Sequence, residues 1–325
     1  MPVQPSARER VRVFPLNVRI SQERIEFQSL GQPIAGVLFL PGDGGLFPAL
    51  VISHGYMDFK ENYFELCGYL AQRGVASLVM DMHGHGESGG ERYHIHLDEW
   101  IADIRAAMDV LQAHPSIDPE GLGAFGLSSG GTAVLEAALV DSRIRALITL
   151  DATVRPLLSV PERIGMGLLS TLGRIKRFLT GRDLRVSLVR EVGKVEAAHD
   201  PEVNEQWRSN PRVVEMWSSF PFPGSEASVY VDTLTRVHRI TVPTLVLHGA
   251  QDRVDSPQTA HMLFDALTCP KELHIIEGNG HLGHLDRNKG MVMELTAGWA
   301  LSRLKGSGRP SGECASSSSR KRSME

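Results

Sequence analysis

Residues 122–132 read LGAFGLSSGGT. An apolar run, Leu122–Phe125, stops at glycine, and a helical pattern begins at Thr132. Between them Gly126, Ser128 and Gly130 form Gly-x-Ser-x-Gly. In a strand–turn–helix setting this string makes a strained elbow that lifts a serine hydroxyl above the end of a sheet. The flanking glycines remove side chains where strand and helix crowd together. Ser128 Oγ is therefore the candidate nucleophile, and the N–H of Ser129 would point at a bound acyl oxygen. Alone the string is weak evidence, since chance supplies roughly a quarter of a match in a chain of this composition. Its placement between strand and helix gives it weight.

The pattern on either side sets the architecture. Ala49–Ser53, Ala76–Asp81, Ala146–Leu150, Thr244–His248 and Glu272–Ile276 are short runs rich in Val, Ile and Leu, as buried parallel strands are. Arg24–Ser29 and Ile34–Leu40 read as an antiparallel pair, and Asp43-Gly44-Gly45 as a hairpin turn. Helical patterns lie between: Tyr63–Gln72, Leu97–Gln112, Thr132–Leu139, Gln258–Leu267 and Gly290–Leu304. This alternation predicts an α/β fold with a mostly parallel central sheet and helices on both faces. It breaks between about residues 153 and 239, where prolines and helical patches replace strands. That stretch reads as an inserted, mainly helical cap. Ile164, Leu168, Leu172, Ile175 and Leu179 form one stripe in it, beside Arg174, Lys176 and Arg177. The stripe is expected to pack on the sheet; the other reading is a helix lying on a membrane surface.

Four further strings follow strands. Ser53-His54-Gly55-Tyr56 comes after the Ala49 run, and the N–H of Tyr56 is the natural second donor to an oxyanion beside that of Ser129. Asp81-Met82-His83-Gly84-His85-Gly86-Glu87-Ser88 comes after the Ala76 run. His248-Gly249-Ala250-Gln251-Asp252 and Gly278-Asn279-Gly280-His281 end the last two strands. Ser128, Asp252 and His281 occur in the chain order of a nucleophile–acid–base triad on this kind of sheet.

On these motifs the chain from about residue 34 to 304 resembles the α/β-hydrolase superfamily. Within it the HGYMDFKENYFELCGYLAQRG, DMHGHGES and HGAQDRVDSP stretches are similar to the cinnamoyl and feruloyl esterase, lysophospholipase and serine-aminopeptidase-like branch. The resemblance implies the α/β-hydrolase fold and a serine hydrolase of carboxylic esters, with Ser128, Asp252 and His281 as triad. An aminopeptidase-like amide hydrolase and a thioesterase or acyltransferase are the alternatives on the same fold. A non-catalytic scaffold is a further class, and it would have to explain a complete triad.

Rival assignments exist for each position. Ser129 breaks the Gly-x-Ser-x-Gly spacing; His284 competes with His281; Asp255 lies three residues late and Asp151 ends another strand. Asp252 and His281 are preferred. His83, His85, His94 and His96 read as loop histidines, without a third ligand at a helpful spacing, so no metal is expected. Cys67 reads as a small core residue. Trp207, Trp217, Phe220 and Phe222 read as cap core before pocket wall. Glu191, Glu196, Glu202 and Glu205 are the carboxylates an aminopeptidase could use for a substrate ammonium.

Composition narrows the classes. The 325 residues hold 34 basic and 38 acidic side chains, a net charge of −4, and the pI is near 6.4. That gives no general pull toward nucleic acid. Three cysteines argue against a disulfide scaffold. No integral membrane segment, secretory leader or dinucleotide fingerprint is visible, so no cofactor and a cytoplasmic location are expected. The expected partner is a small-molecule ester or other acyl substrate. Residues 1–20 read as an N-terminal extension, 21–152 and 240–305 as the core, 153–239 as the cap and 306–325 as a disordered tail.

Overall fold

In β3 (Phe47–Ser53) Leu50 and Ile52 turn to one side and Ala49 and Val51 to the other, and all four are buried. A strand with two apolar faces is stable only where both are covered. The computed structural model, which describes residues 19–42, 44–156, 158–225 and 230–304, shows how that is done. Eight strands run in the order β1 (Ser21–Ser29), β2 (Gln32–Leu40), β4 (Ala76–Met80), β3, β5 (Ile117–Leu127), β6 (Leu147–Leu150), β9 (Thr244–Gly249) and β10 (Lys271–Ile276). The pairs β1–β2 and β2–β4 are antiparallel, and the rest are parallel.

Helices α1 (Phe64–Gln72) and α9 (Lys289–Leu304) cover one face, burying Leu66, Leu70, Val292 and Ala300 against Leu50, Ile52 and Leu247. On the other face α2 (Leu97–Ala113), α3 (Ser129–Ala138) and α8 (Gln258–Ala266) bury Ile104, Val134 and Leu263 with Val51 and Leu78. This is the expected α/β-hydrolase architecture. One turn differs from expectation. β2 and β3 do not pair, because β4 lies between them, so residues 44–45 carry a crossover and no hairpin; Asp43 is outside the described residues. The proposed tail and residues 1–18 of the N-terminal extension also lie outside them. Cys67 is buried on α1, and burial pushes its thiol up to about 12.

Between β6 and β9 the chain forms α4 (Val160–Thr180), β7 (Leu184–Val186), α5 (Val189–Val192), α6 (Pro201–Ser209), α7 (Pro211–Ser218) and β8 (Phe220–Phe222). β7 and β8 form a small antiparallel pair that the proline-rich sequence did not suggest. Ser159 and Glu162 cap α4 reciprocally, and Gly181 closes it in the left-handed region. The stripe on α4 does not pack on the sheet. Ile164, Leu168, Leu172, Ile175 and Leu179 are all exposed, and the buried side of the helix is Ser170 and Gly173. Periodicity identifies a stripe, but the direction it faces depends on what lies beside it. Here the small residues face β8: a Cβ on Gly173 would fall 2.2 Å from the carbonyl oxygen of Phe222.

Truncating a side chain on the two kinds of surface should therefore differ sharply. Leu78→Ala, in the sheet core, should lower unfolding free energy by about 2–5 kcal/mol in urea titration. Leu168→Ala, on α4, should change it by less than about 0.5 kcal/mol.

Candidate active site

Ser128 sits between the end of β5 and the start of α3 with φ 52° and ψ −119°, a left-handed backbone that non-glycine residues seldom adopt. Its N–H donates to Leu150 O at 3.0 Å. The surroundings hold the strain in place. A Cβ on Gly126 would lie 2.2 Å from Gly130 O, and one on Gly130 would lie 2.3 Å from His54 O. Only glycine lets strand, helix and the loop after β3 approach this closely.

His54 fixes that loop. Its Nδ1 lies 2.6 Å from Gly55 O, while Met82 N–H donates to Nε2 at 3.0 Å, so the ring proton belongs on Nδ1. The imidazole thus ties the loop after β3 to the loop after β4. Gly55 N–H donates to Tyr63 Oη at 3.3 Å, and Tyr63 O–H donates to Asp58 Oδ2 at 2.8 Å. These bonds hold Gly55 and Tyr56 beside Ser128; a Cβ on Gly55 would meet Ser128 Cβ at 3.4 Å.

The loops after β9 and β10 bring Asp252 and His281 together. His281 Nδ1 lies 2.7 Å from Asp252 Oδ2. Asp252 Oδ1 accepts from Val254 N–H at 2.8 Å and Asp255 N–H at 2.9 Å, so both oxygens are engaged. Burial pushes the Asp252 carboxyl up, but His281 and His248 outweigh it and hold it well below the usual range. Burial lowers His281, and the facing Asp252 carboxylate more than offsets this, so its net shift is upward.

A second histidine stands behind the pair. His248 is buried, with Nε2 at 3.0 Å from Asp255 O and 3.2 Å from Asp252 Oδ2, and Nδ1 at 3.8 Å from Asp151 Oδ1. Burial pulls His248 down, yet its two carboxylate neighbours outweigh this and raise it to about 9. Asp151 follows β6 directly and accepts Gly249 N–H at 2.8 Å; burial raises its carboxyl to about 7. Sequence reading treated Asp151 as a rival acid and did not single out His248. The signal available was two polar residues ending otherwise apolar strands.

Ser128 and His281 line one cavity of about 310 Å³. Tyr56 and Ser129, the two oxyanion candidates, line it too. Its remaining wall is mostly apolar, with Leu188, Val192, Trp207, Trp217 and Phe220 from the segment between β6 and β9. Phe220 and Phe222 belong to a buried cluster on which Trp207 and Trp217 pack, as expected of a cap core, and all but Phe222 also form cavity wall. Asp58, the one carboxylate on the lining, is occupied by Tyr63, Asn62 and Phe59 N–H, and burial raises its carboxyl.

The other candidates fall elsewhere. His284 stacks on Tyr63 with ring centroids 4.3 Å apart, and burial with the nearby His281 holds it near 3. It faces no acid that could orient it as a base. His83 Nδ1 binds Asp103 at 2.5 Å, and His85 packs among His54, Tyr93 and Trp100. Glu91, His94 and His96 come within ligating distance of one another. Arg177 already grips Glu91, and His94 Nε2 faces Asp183 at 2.9 Å, so a cation there would displace an ion pair. Glu191, Glu196, Glu202 and Glu205 are exposed and absent from the cavity lining.

The chain is similar to known proteins. A family profile described as "Serine aminopeptidase, S33" matches residues 47–288. A polyketide transferase of Stachybotrys chlorohalonatus is 27% identical over 83% of this chain and 93% of its own length. A thiohydrolase of Aspergillus aculeatus is 27% identical over 83% of this chain and 89% of its own. A hypothetical protein of Pseudomonas aeruginosa superposes with a TM-score of 0.75 at 22% identity, covering 90% of this chain and 96% of that one. Est1E of Butyrivibrio proteoclasticus, solved with bound ferulic acid, gives 0.59 at 22% identity, covering 86% and 99%. The chain belongs to the serine aminopeptidase S33 family of α/β-hydrolases.

Proposed function

We propose that the protein hydrolyses carboxylic esters through an acyl-enzyme on Ser128, with His281 as base and Asp252 as its orienting acid. The observation that carries this reading is the 2.7 Å contact between Asp252 and His281, with His281 and Ser128 on one apolar cavity. Ser128 Oγ attacks the acyl carbon while His281 Nε2 takes its proton. The oxyanion is received by the N–H groups of Tyr56 and Ser129, each worth about 2.7–4 kcal/mol where such donors have been removed. As the tetrahedral species collapses, the leaving oxygen takes the proton from Nε2. Water then repeats the cycle, giving its proton to His281, and the acid departs as Ser128 is restored. Asp252 accepts from Nδ1–H throughout and stays ionised.

A thioester is the second reading, because relatives of similar identity are named thiohydrolases. The same steps apply with a thiolate leaving group. Amide cleavage guided by a substrate ammonium has less support, since the glutamates proposed to hold that group point outward.

Ser128→Ala should lower turnover of short acyl nitrophenyl esters by about 10⁴–10⁶-fold and abolish labelling by a fluorophosphonate. Unchanged hydrolysis by that variant would sink the proposal. Asp252→Asn should cost about 10⁴-fold in kcat, since the wrong imidazole tautomer is then favoured. A panel of matched esters, thioesters and aminoacyl amides ranks the leaving groups; amides turned over fastest would reverse the preference stated here.

The pH profile follows from the network. His281 must be neutral to act as base, and its net shift is upward. Activity should therefore rise with pH through an apparent pKa above the ordinary imidazole value of about 6.5. The His248 imidazolium opposes protonation of His281. His248→Gln removes that repulsion, so the acidic limb should move to higher pH in kcat/KM measurements. A limb that stays in place or moves down would show that His248 carries no charge there.

A further inference from the structure

Helix α4 is held firmly by one side and presents something unusual on the other. Its inner side, Ser170 and Gly173, lies against β8. Arg177 is anchored to Glu91 and Asp183, and Tyr230 O–H donates to Arg163 O at 2.8 Å. Outward, Val160, Ile164, Leu168, Leu172, Ile175, Phe178 and Leu179 share an arc of about 120° at helical periodicity. Each is between 48% and 89% exposed. Eight of the fifteen large apolar side chains exposed among the described residues belong to this one helix. A soluble monomer seldom leaves so much apolar surface contiguous.

Charge says what covers it. Arg174 borders the arc on one side and Lys176 on the other, at the same 100° spacing. Residues 160–183 hold Arg163, Arg174, Lys176, Arg177 and Arg182 against Glu162 and Asp183, or 5 − 2 = +3, in a chain whose total is −4, and Arg177 is engaged by Glu91 and Asp183. A second copy seated on α4 would set two such cationic segments together, and a neutral apolar partner would offer them no opposite charge. We propose that α4 seats this protein on an anionic phospholipid surface, its apolar arc in the acyl boundary and its basic borders at headgroup level. No helix among the described residues is long and apolar enough to cross a bilayer, so the contact is in the plane of the interface. The β7–β8 pair lies between α4 and the cavity, since β8 backs the helix and its Phe220 lines the pocket. An acyl substrate dissolved in that surface would thus be delivered beside Ser128. The docking itself does not rest on the ester reading.

The test uses the full chain with vesicles of phosphatidylcholine containing about 30 mol% phosphatidylglycerol, and with pure phosphatidylcholine. Cosedimentation should be at least about 10-fold stronger on the anionic vesicles and should weaken as salt screens the contact. Phe178→Glu with Leu179→Glu should lose binding about 10-fold or more while circular dichroism and turnover of a soluble ester stay unchanged. Lys176→Glu should weaken binding to anionic vesicles only. Ser128→Ala should bind like the wild type, which separates this proposal from the catalytic one. Absence of binding to the anionic vesicles, equal binding by the double glutamate variant, or a solution dimer that this variant dissociates would each overturn it.

Discussion

The left-handed backbone of Ser128 is the constraint to which the surrounding loops are fitted. A residue held there needs neighbours that leave it no easier conformation. Gly126 and Gly130 allow α3 and the loop after β3 to close on it at backbone contact, and Leu150 accepts its N–H from the next strand. The His54 ring extends the same clamp from β3 to β4. One strained residue thus registers four consecutive loop ends of the sheet, and the cavity opens where they meet.

The acid side of the site is built differently. Asp151 too has a left-handed backbone, but what organises this side is confined charge. Asp252 is shared by two imidazoles, one reaching the cavity and one buried, while Asp151 stands behind the buried one. A buried charge removed from one member would leave the others uncompensated. The group therefore acts as a unit, and the orientation of His281 depends on partners that never approach a substrate.

Much of this was legible beforehand. The elbow, the His-Gly loop and the late Asp252 and His281 loops are local strings at strand ends, and strands buried on both faces announce themselves by unbroken apolar runs. Beyond the β7–β8 pair and the crossover at residues 44–45, three side-chain placements were not legible, because they depend on what lies beside a residue after folding. The α4 stripe was expected inward and faces out. Trp207, Trp217 and Phe220 belong to the cap core as expected, but they also line the cavity, whereas the glutamates of the same segment lie outside. His248 heads a quoted string but is given no role there, because its setting includes Asp151, 97 residues away in sequence.

The cavity has two authors in the fold. The residues proposed to react come from loops of the rigid sheet, whereas Leu188, Val192, Trp207, Trp217 and Phe220 come from the segment between β6 and β9. Those five make no hydrogen bond to Asp252 or His281 through their side chains, being apolar or facing elsewhere. Change in that segment can therefore reshape the chamber while the strained turn and its charge network are left alone. Divergence in acyl preference can accumulate neutrally with respect to reaction chemistry. The same separation marks where a library of variants should be concentrated to redirect this scaffold toward another substrate.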